Sequence, residues 1–254
     1  MNKAIKFIND LQIELSETEL EGKILSALLD CWDKLKNQIK NEELYSIGVY
    51  SGNMDFSCVT FSANTNIGLI EKIQQYKEDE YYLNKSDEEI RLSIKWNSAD
   101  WKYHDIIFSD AFEKANDILG GITERMYNIE EYKPILNNLT EENIGQICVK
   151  KGPLFEGTSD NLSYDLYKDI YDPGYELIYT TIKNSLIEFK KQISFTSDVV
   201  VGMFCGDASY DFMIKNCIPI NGKTSIKSII NDLRHLGELH DLNYLEEDYH
   251  EFEN

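Results

Sequence analysis

Residues able to do chemistry are plentiful in this chain, but few stand at a spacing that chemistry requires. The four histidines are His104, His235, His240 and His250. The last three lie near Glu238, Asp241, Glu246, Glu247 and Asp248, in an order that matches neither His-Glu-x-x-His nor a calcium-loop ligand series. No metal site is expected. The five cysteines, Cys31, Cys58, Cys148, Cys205 and Cys217, are odd in number and include no Cys-x-x-Cys pair. Cys31, Cys58 and Cys205 sit in apolar patterns, where a thiol is usually a small buried hydrophobe. Cys205 precedes Gly206-Asp207 but has no basic neighbour to activate it. There is no Gly-x-Ser-x-Gly elbow, and Gly120-Gly121 closes a helical pattern instead of opening a phosphate loop. With 45 acidic residues, carboxylate pairs are everywhere, so spacing selects none for acid–base work. No catalytic residue and no cofactor is assigned.

Trp96, Trp101 and Tyr103 form the most suggestive group, with Asn97, Ser98 and Asp100 between them. Aromatics this close cannot all face inward from one element. The polar residues predict an exposed turn, and an aromatic patch rimmed by acid suits a protein–protein contact. The competing reading is that the rings anchor a loop onto the core. Trp96, Trp101 and Tyr103 are the candidate partner-binding residues.

The elements that must position these residues centre on a repeated stretch. Ile47-Gly-Val-Tyr-Ser-Gly-Asn53 returns 154 residues later as Val201-Gly-Met-Phe-Cys-Gly-Asp207, and Leu35-Lys-Asn-Gln-Ile39 returns as Phe189-Lys-Lys-Gln-Ile193. Each copy reads as helix end, loop, apolar strand and turn. Ser16-Glu-Thr-Glu19 predicts a capping box before a long helix with the stripe Leu20, Ile24, Ala27, Leu28, Cys31, Trp32, Leu35 and Ile39. Leu44–Tyr50 and Asp55–Ala63 predict a hairpin joined at Gly52-Asn53. Asn64-Thr-Asn66 caps a helix carrying Ile67, Ile70 and Ile73, and a polar acidic connection follows it. The alternation of Ile90, Leu92, Ile94 and Trp96 predicts a strand near 91–96, and Phe112, Ala115, Ile118 and Leu119 predict a helix closed by Gly120-Gly121. A short helical stretch opens at Thr140, and Lys150–Pro173 reads as an irregular connection. The second copy predicts a helix over Tyr175–Phe189, a strand over Val199–Cys205, a returning strand at Phe212–Ile218 and a last helix carrying Ile226–Leu236.

These elements predict an α+β fold, a mixed, largely antiparallel sheet flanked by helices. Two pseudo-repeated helix–hairpin–helix units would share the sheet about a pseudo-twofold. The expected organisation is a single domain over 1–254, with halves 16–138 and 139–240 and an acidic tail at 241–254. The net charge is −20, which opposes binding to nucleic acid or anionic membrane and favours a basic partner. The longest apolar run, Val199–Cys205, is too short to span a bilayer, and no signal-peptide apolar region forms. A soluble protein of the reducing cytoplasm is expected.

Leu44-Tyr45-Ser-Ile-Gly-Val-Tyr50, Ala63-Asn64-Thr65 with its helix, and Trp96 followed by Trp101-Lys-Tyr103 resemble an uncharacterised bacterial family, domain of unknown function 4303. Its members share a Leu-Tyr-x-x-x-Leu-Tyr strand, an Ala-Asn-Thr helix start and a Trp…Trp-x-Tyr segment. The likeness runs over residues 20–120 and more loosely over 180–220. It implies a small cytoplasmic protein of the kind encoded beside polymorphic toxins, where immunity proteins are common, and it implies no catalytic residue. The leading expectation is a protein-binding module of immunity type that neutralises a basic toxin domain by occlusion. The alternative is an enzyme with an acidic cleft between the halves near Asn53 and Asp207. A third reading is an oligomeric scaffold, which would assemble through one apolar face.

Overall fold

The computed structural model describes residues 3–104, 109–127, 172–196, 198–206 and 208–236. In chain order the elements are α1 (Lys3–Glu17), α2 (Leu20–Gln38), β1 (Leu44–Ser51), β2 (Thr60–Thr65), α3 (Asn66–Tyr76), α4 (Asp87–Lys95), a 3-10 turn (Ser98–Asp100) and β3 (Tyr103–His104). A second 3-10 turn (Ser109–Phe112) leads into α5 (Glu113–Tyr127), followed by α6 (Asp172–Ile193), β4 (Val200–Cys205), α7 (Tyr210–Asn221) and α8 (Lys223–Leu236). The four strands form one mixed sheet in the order β3-β2-β1-β4, antiparallel except for the β1–β4 pair. The fold is α+β, as the patterning predicts.

β1 is buried on both sides because helices cover both faces of the sheet. Ile47 and Val49, with Val201 and Met203, face a core shared with α1, α2, α5 and α6. Val200 and Phe204 face the opposite core with α3, α4, α7 and α8. The register slips between Leu44 and Ser46, and beyond the slip Tyr45 packs into the second core although Ile47 packs into the first.

The repeated stretches lie side by side. β1 and β4 pair in parallel with Ile47 opposite Val201, Gly48 opposite Gly202 and Tyr50 opposite Phe204, all at the offset of 154 that aligns the two copies. Matching residues face the same core, and α2 packs against α6 on that side, so the units are displaced along the sheet and not turned about a twofold. The second unit also has no hairpin. Residues 210–221 are helical, because the Ser209 hydroxyl caps the Phe212 N–H at 3.4 Å and Met213, Cys217 and Ile220 are buried at helical spacing, the first two in the second core and Ile220 in the first.

Other expectations change for equally local reasons. Ser16 lies within α1 and not at a helix start; α2 begins at Leu20, after Glu19, whose φ of 53° is left-handed and whose side chain makes no cap bond. Residues 87–95 form a helix instead of a strand. Ser86 and Glu89 complete a capping box at 2.7 and 3.3 Å, and the alternation is buried because α4 lies between α3 and α8. The β1–β2 connection spans residues 52–59 and is not a tight Gly-Asn turn. α5 runs through Gly120-Gly121 because Ile122 and Met126 continue its buried stripe. The helical stretch expected at Thr140, residues 150–171 of the expected irregular connection and the acidic tail at 241–254 lie outside the described residues, while Asp172 and Pro173, expected at the end of that connection, open α6.

Two asparagines complete the sheet's backbone bonding. Asn221 accepts from the Val201 N–H at 2.9 Å and donates to the Val201 carbonyl at 2.6 Å, along the side of β4 that carries no described strand. Asn116 does the same to Val59, at 2.8 and 2.9 Å. Each side-chain amide replaces one peptide of a missing neighbour and blunts an edge. Asn221→Ala strips both partners from a fully buried Val201 and is expected to cost about 2 kcal/mol in urea unfolding at unchanged m-value.

Candidate functional site

Of the two readings of the aromatic group, the structure takes the one in which the rings anchor their loop onto the core. Trp96, Trp101 and Tyr103 are only 3, 4 and 6% exposed, and the segment between them is held by specific bonds. Tyr45 donates to the Lys95 carbonyl at 3.0 Å and accepts from Asn64 at 2.9 Å, while the Trp101 indole donates to that same carbonyl at 3.0 Å. The Asn64 side-chain oxygen accepts from the backbone of Thr65 at 3.0 Å and of Lys102 at 3.4 Å. Thr65 caps α3 through the Gly68 N–H at 3.0 Å and donates to Glu42, which also accepts from Tyr103 at 3.0 Å. Burial works to raise the Glu42 pKa, but these hydroxyls and the Lys102 ammonium outweigh it and hold the carboxyl below its ordinary range. The Trp101 ring stands 4.6 Å from Phe204, and Tyr45 meets both Trp96 and Trp101 edge-on.

A cleft of about 220 Å³ opens beside this knot, between Trp96–Ser98 and the turn from Phe204 to Tyr210. It lies at the carboxyl ends of the parallel pair β1–β4, where open sheets commonly admit ligands. Its described lining includes Asn97, Cys205, Ser209 and Met213. Asn53 lies on the exposed β1–β2 connection, and Asp207 lies outside the described residues. Two thiols are pushed up to about 12 by burial, Cys31 and Cys217, and neither serves as a nucleophile in that state. Cys205 is half-buried and Cys58 is exposed, whereas their patterns predict burial. Among the described residues no histidine, cysteine and carboxylate group suits a metal ion.

The exposed apolar surface lies elsewhere. Among the described residues seven large apolar side chains are exposed, and four of them, Ile67, Ile70, Tyr81 and Leu83, belong to α3 and the connection after it. Ile67 and Ile70 are predicted to share the buried stripe of α3, but Leu69 and Ile73 fill that role and the two isoleucines face outward. The connection reads as merely acidic because Glu78-Asp-Glu80 dominates it. The signal it contains is Tyr81-Tyr82-Leu83 directly behind those acids, with no periodicity to bury them. Tyr82 packs against Tyr76 and Tyr81, each at 4.9 Å between centroids. Tyr76 donates to Asp100, which accepts from Asn97 at 2.7 Å, so the tyrosine cluster and the cleft rim share one carboxylate.

The motif segments read from the sequence thus meet in a single bonded knot. A family model described as Domain of unknown function (DUF4303) matches residues 24–215. The chain belongs to this family. The DUF4303 match includes all four strands and ends within α7, leaving α1 and α8 outside it. In this DUF4303 chain the Leu-Tyr strand, the Ala-Asn-Thr helix start and the Trp…Trp-x-Tyr segment are the parts that clasp β1, β2 and α4 together. No curated protein and no solved structure matches the chain. No described helix is long and apolar enough to cross a membrane.

Proposed function

We propose that this DUF4303 chain is a protein-binding module of immunity type, which neutralises a basic toxin domain by covering it. The observation that carries the reading is the concentration of exposed apolar side chains, Ile67, Ile70, Tyr81 and Leu83, on one acidic stretch of a chain with net charge −20. Apolar and aromatic groups supply affinity at such a surface, and the surrounding charge steers a basic partner and speeds its arrival. Trp96, Trp101 and Tyr103 serve this reading from behind, as the buried support on which α4 and the cleft rim rest.

The test is purification of the tagged protein from its native host, followed by co-expression with the basic protein that accompanies it. Stoichiometric recovery of that protein and rescue of cells from its toxicity are the expected results. Association of the purified pair should slow at least about tenfold between roughly 50 and 500 mM salt. Recovery of the chain alone from cells that express the neighbouring basic protein overturns the reading.

A further inference from the structure

We infer that the docking surface is the tyrosine cluster after α3, and that it takes arginine side chains from a basic protein. This inference rests on the proposed binding role and names the residues and the chemistry that role uses. Tyr81 and Leu83 are 71 and 64% exposed, more than any other large apolar residue described. Their exposure is not an effect of a loose loop. The Asp79 side chain accepts from the Tyr81 N–H at 2.9 Å, and the chain closes with bonds from Tyr82 to Asp79 and from Lys85 to Tyr82, each 2.9 Å. The capping box at Ser86 then fixes the start of α4.

The rings already bind cations within the chain. The Lys85 ammonium stands 4.1 Å from the Tyr81 centroid and 4.8 Å from that of Tyr82, and Lys72 stands 5.6 Å from Tyr76. These tyrosine faces therefore hold a positive charge at an exposed site. Beside them Glu78 and Glu80 are exposed and make no ion pair with a described residue, whereas Asp87 pairs with Lys77 and Glu88 with Arg91. A planar guanidinium satisfies both features together, stacking on a ring while its N–H fork meets a carboxylate; an ammonium does so less well. A second copy of this chain is a poor occupant, because it brings the same −20 charge.

The test titrates the full chain with octa-arginine and octa-lysine peptides of equal length, following the tyrosine ring signals by NMR. The arginine peptide is expected to bind about threefold to tenfold more tightly and to shift the Tyr81 and Tyr82 rings. The Tyr81→Ala/Leu83→Ala variant, whose thermal midpoint should match the wild type, is expected to lose that preference. Glu78→Gln/Glu80→Gln should weaken both peptides. Equal binding of the two peptides, or a preference that survives Tyr81→Ala/Leu83→Ala, overturns the inference. The same variants against the captured basic protein separate the two claims. A partner that still binds Tyr81→Ala/Leu83→Ala within about twofold of wild type sinks this surface while the binding role stands. Absence of any partner sinks the binding role itself.

Discussion

Gly48→Ala is expected to remove a large share of the protein's stability at 25 °C. A Cβ at Gly48 would press into the Gly202 carbonyl, 2.8 Å from its carbon and 2.9 Å from the Gly202 nitrogen, with the oxygen closer still. These are backbone atoms of the paired strand, buried on both faces, and neither strand can retreat without breaking the ladder from Ser46 to Ser51. A cost of about 4 kcal/mol or more follows, a large share of the 5–15 kcal/mol that holds an ordinary domain. Gly202→Ala is the informative control. Its Cβ would meet the tip of the Phe204 ring at 2.5 Å and the Cys217 sulfur at 2.8 Å, side-chain atoms that can move aside. Its cost should be smaller, about 1–2 kcal/mol. Urea unfolding of both variants checks the order, and a Gly202→Ala at least as damaging as Gly48→Ala contradicts the account.

The second large effect belongs to Asp232→Ala. The Asp232 carboxylate, on α8, accepts from Lys95 at 2.7 Å, Arg91 at 3.2 Å and the Trp96 indole at 2.9 Å, all on or beside α4. Arg91 keeps Glu88 as a second partner at 2.7 Å, but Lys95 has no other described ion pair and the indole has no other described acceptor. Removing the carboxylate leaves a largely buried ammonium without a described counter-ion, facing only partial compensation from the Trp96 and Tyr45 rings, and a buried N–H without a described acceptor, at a cost of about 3 kcal/mol. The pH dependence has a definite sign. Burial raises the Asp232 pKa, but the bonds from Lys95 and Trp96 and the charges of Lys95 and Arg91 outweigh it and hold it below the ordinary 3.8. A lowered folded-state value means the stabilisation is fully present above pH 3.8 and is lost as pH falls through the folded value. The difference in unfolding free energy between wild type and Asp232→Ala should therefore be constant near neutrality and shrink in acid. A difference that grows in acid rejects the assignment.

Helices carrying one periodic apolar stripe were legible in the sequence. The stripe from Leu20 to Leu35 needed only the helical period to be read, as did that from Ile178 to Phe189. The strands β1 and β4 were equally plain, and their repeat offset proved to be their pairing register. Two helices were misread as strands for one reason. In α4 and α7 neighbours cover more than one side, so burial no longer keeps a single-face period. The sequence left two readings of the aromatic segment open because exposure is not a local property. Asn97, Ser98 and Asp100 are polar whether the rings beside them face out or in.

The composition and patterning of the chain determined its class: acidic, α+β, with two apolar strands that match residue for residue. Local chemistry sufficed there, since helical stripes, caps and strand runs are set by near neighbours. Only the tertiary structure decided which aromatics reach solvent. Trp101 is buried because Tyr45, Phe204 and the Lys95 carbonyl surround it, and these groups come from positions far apart in sequence. Tyr81 is exposed on a turn closed by local bonds, and no local pattern distinguishes it from Trp101. Burial is a sum over contacts distant along the chain, and no local pattern contains that sum.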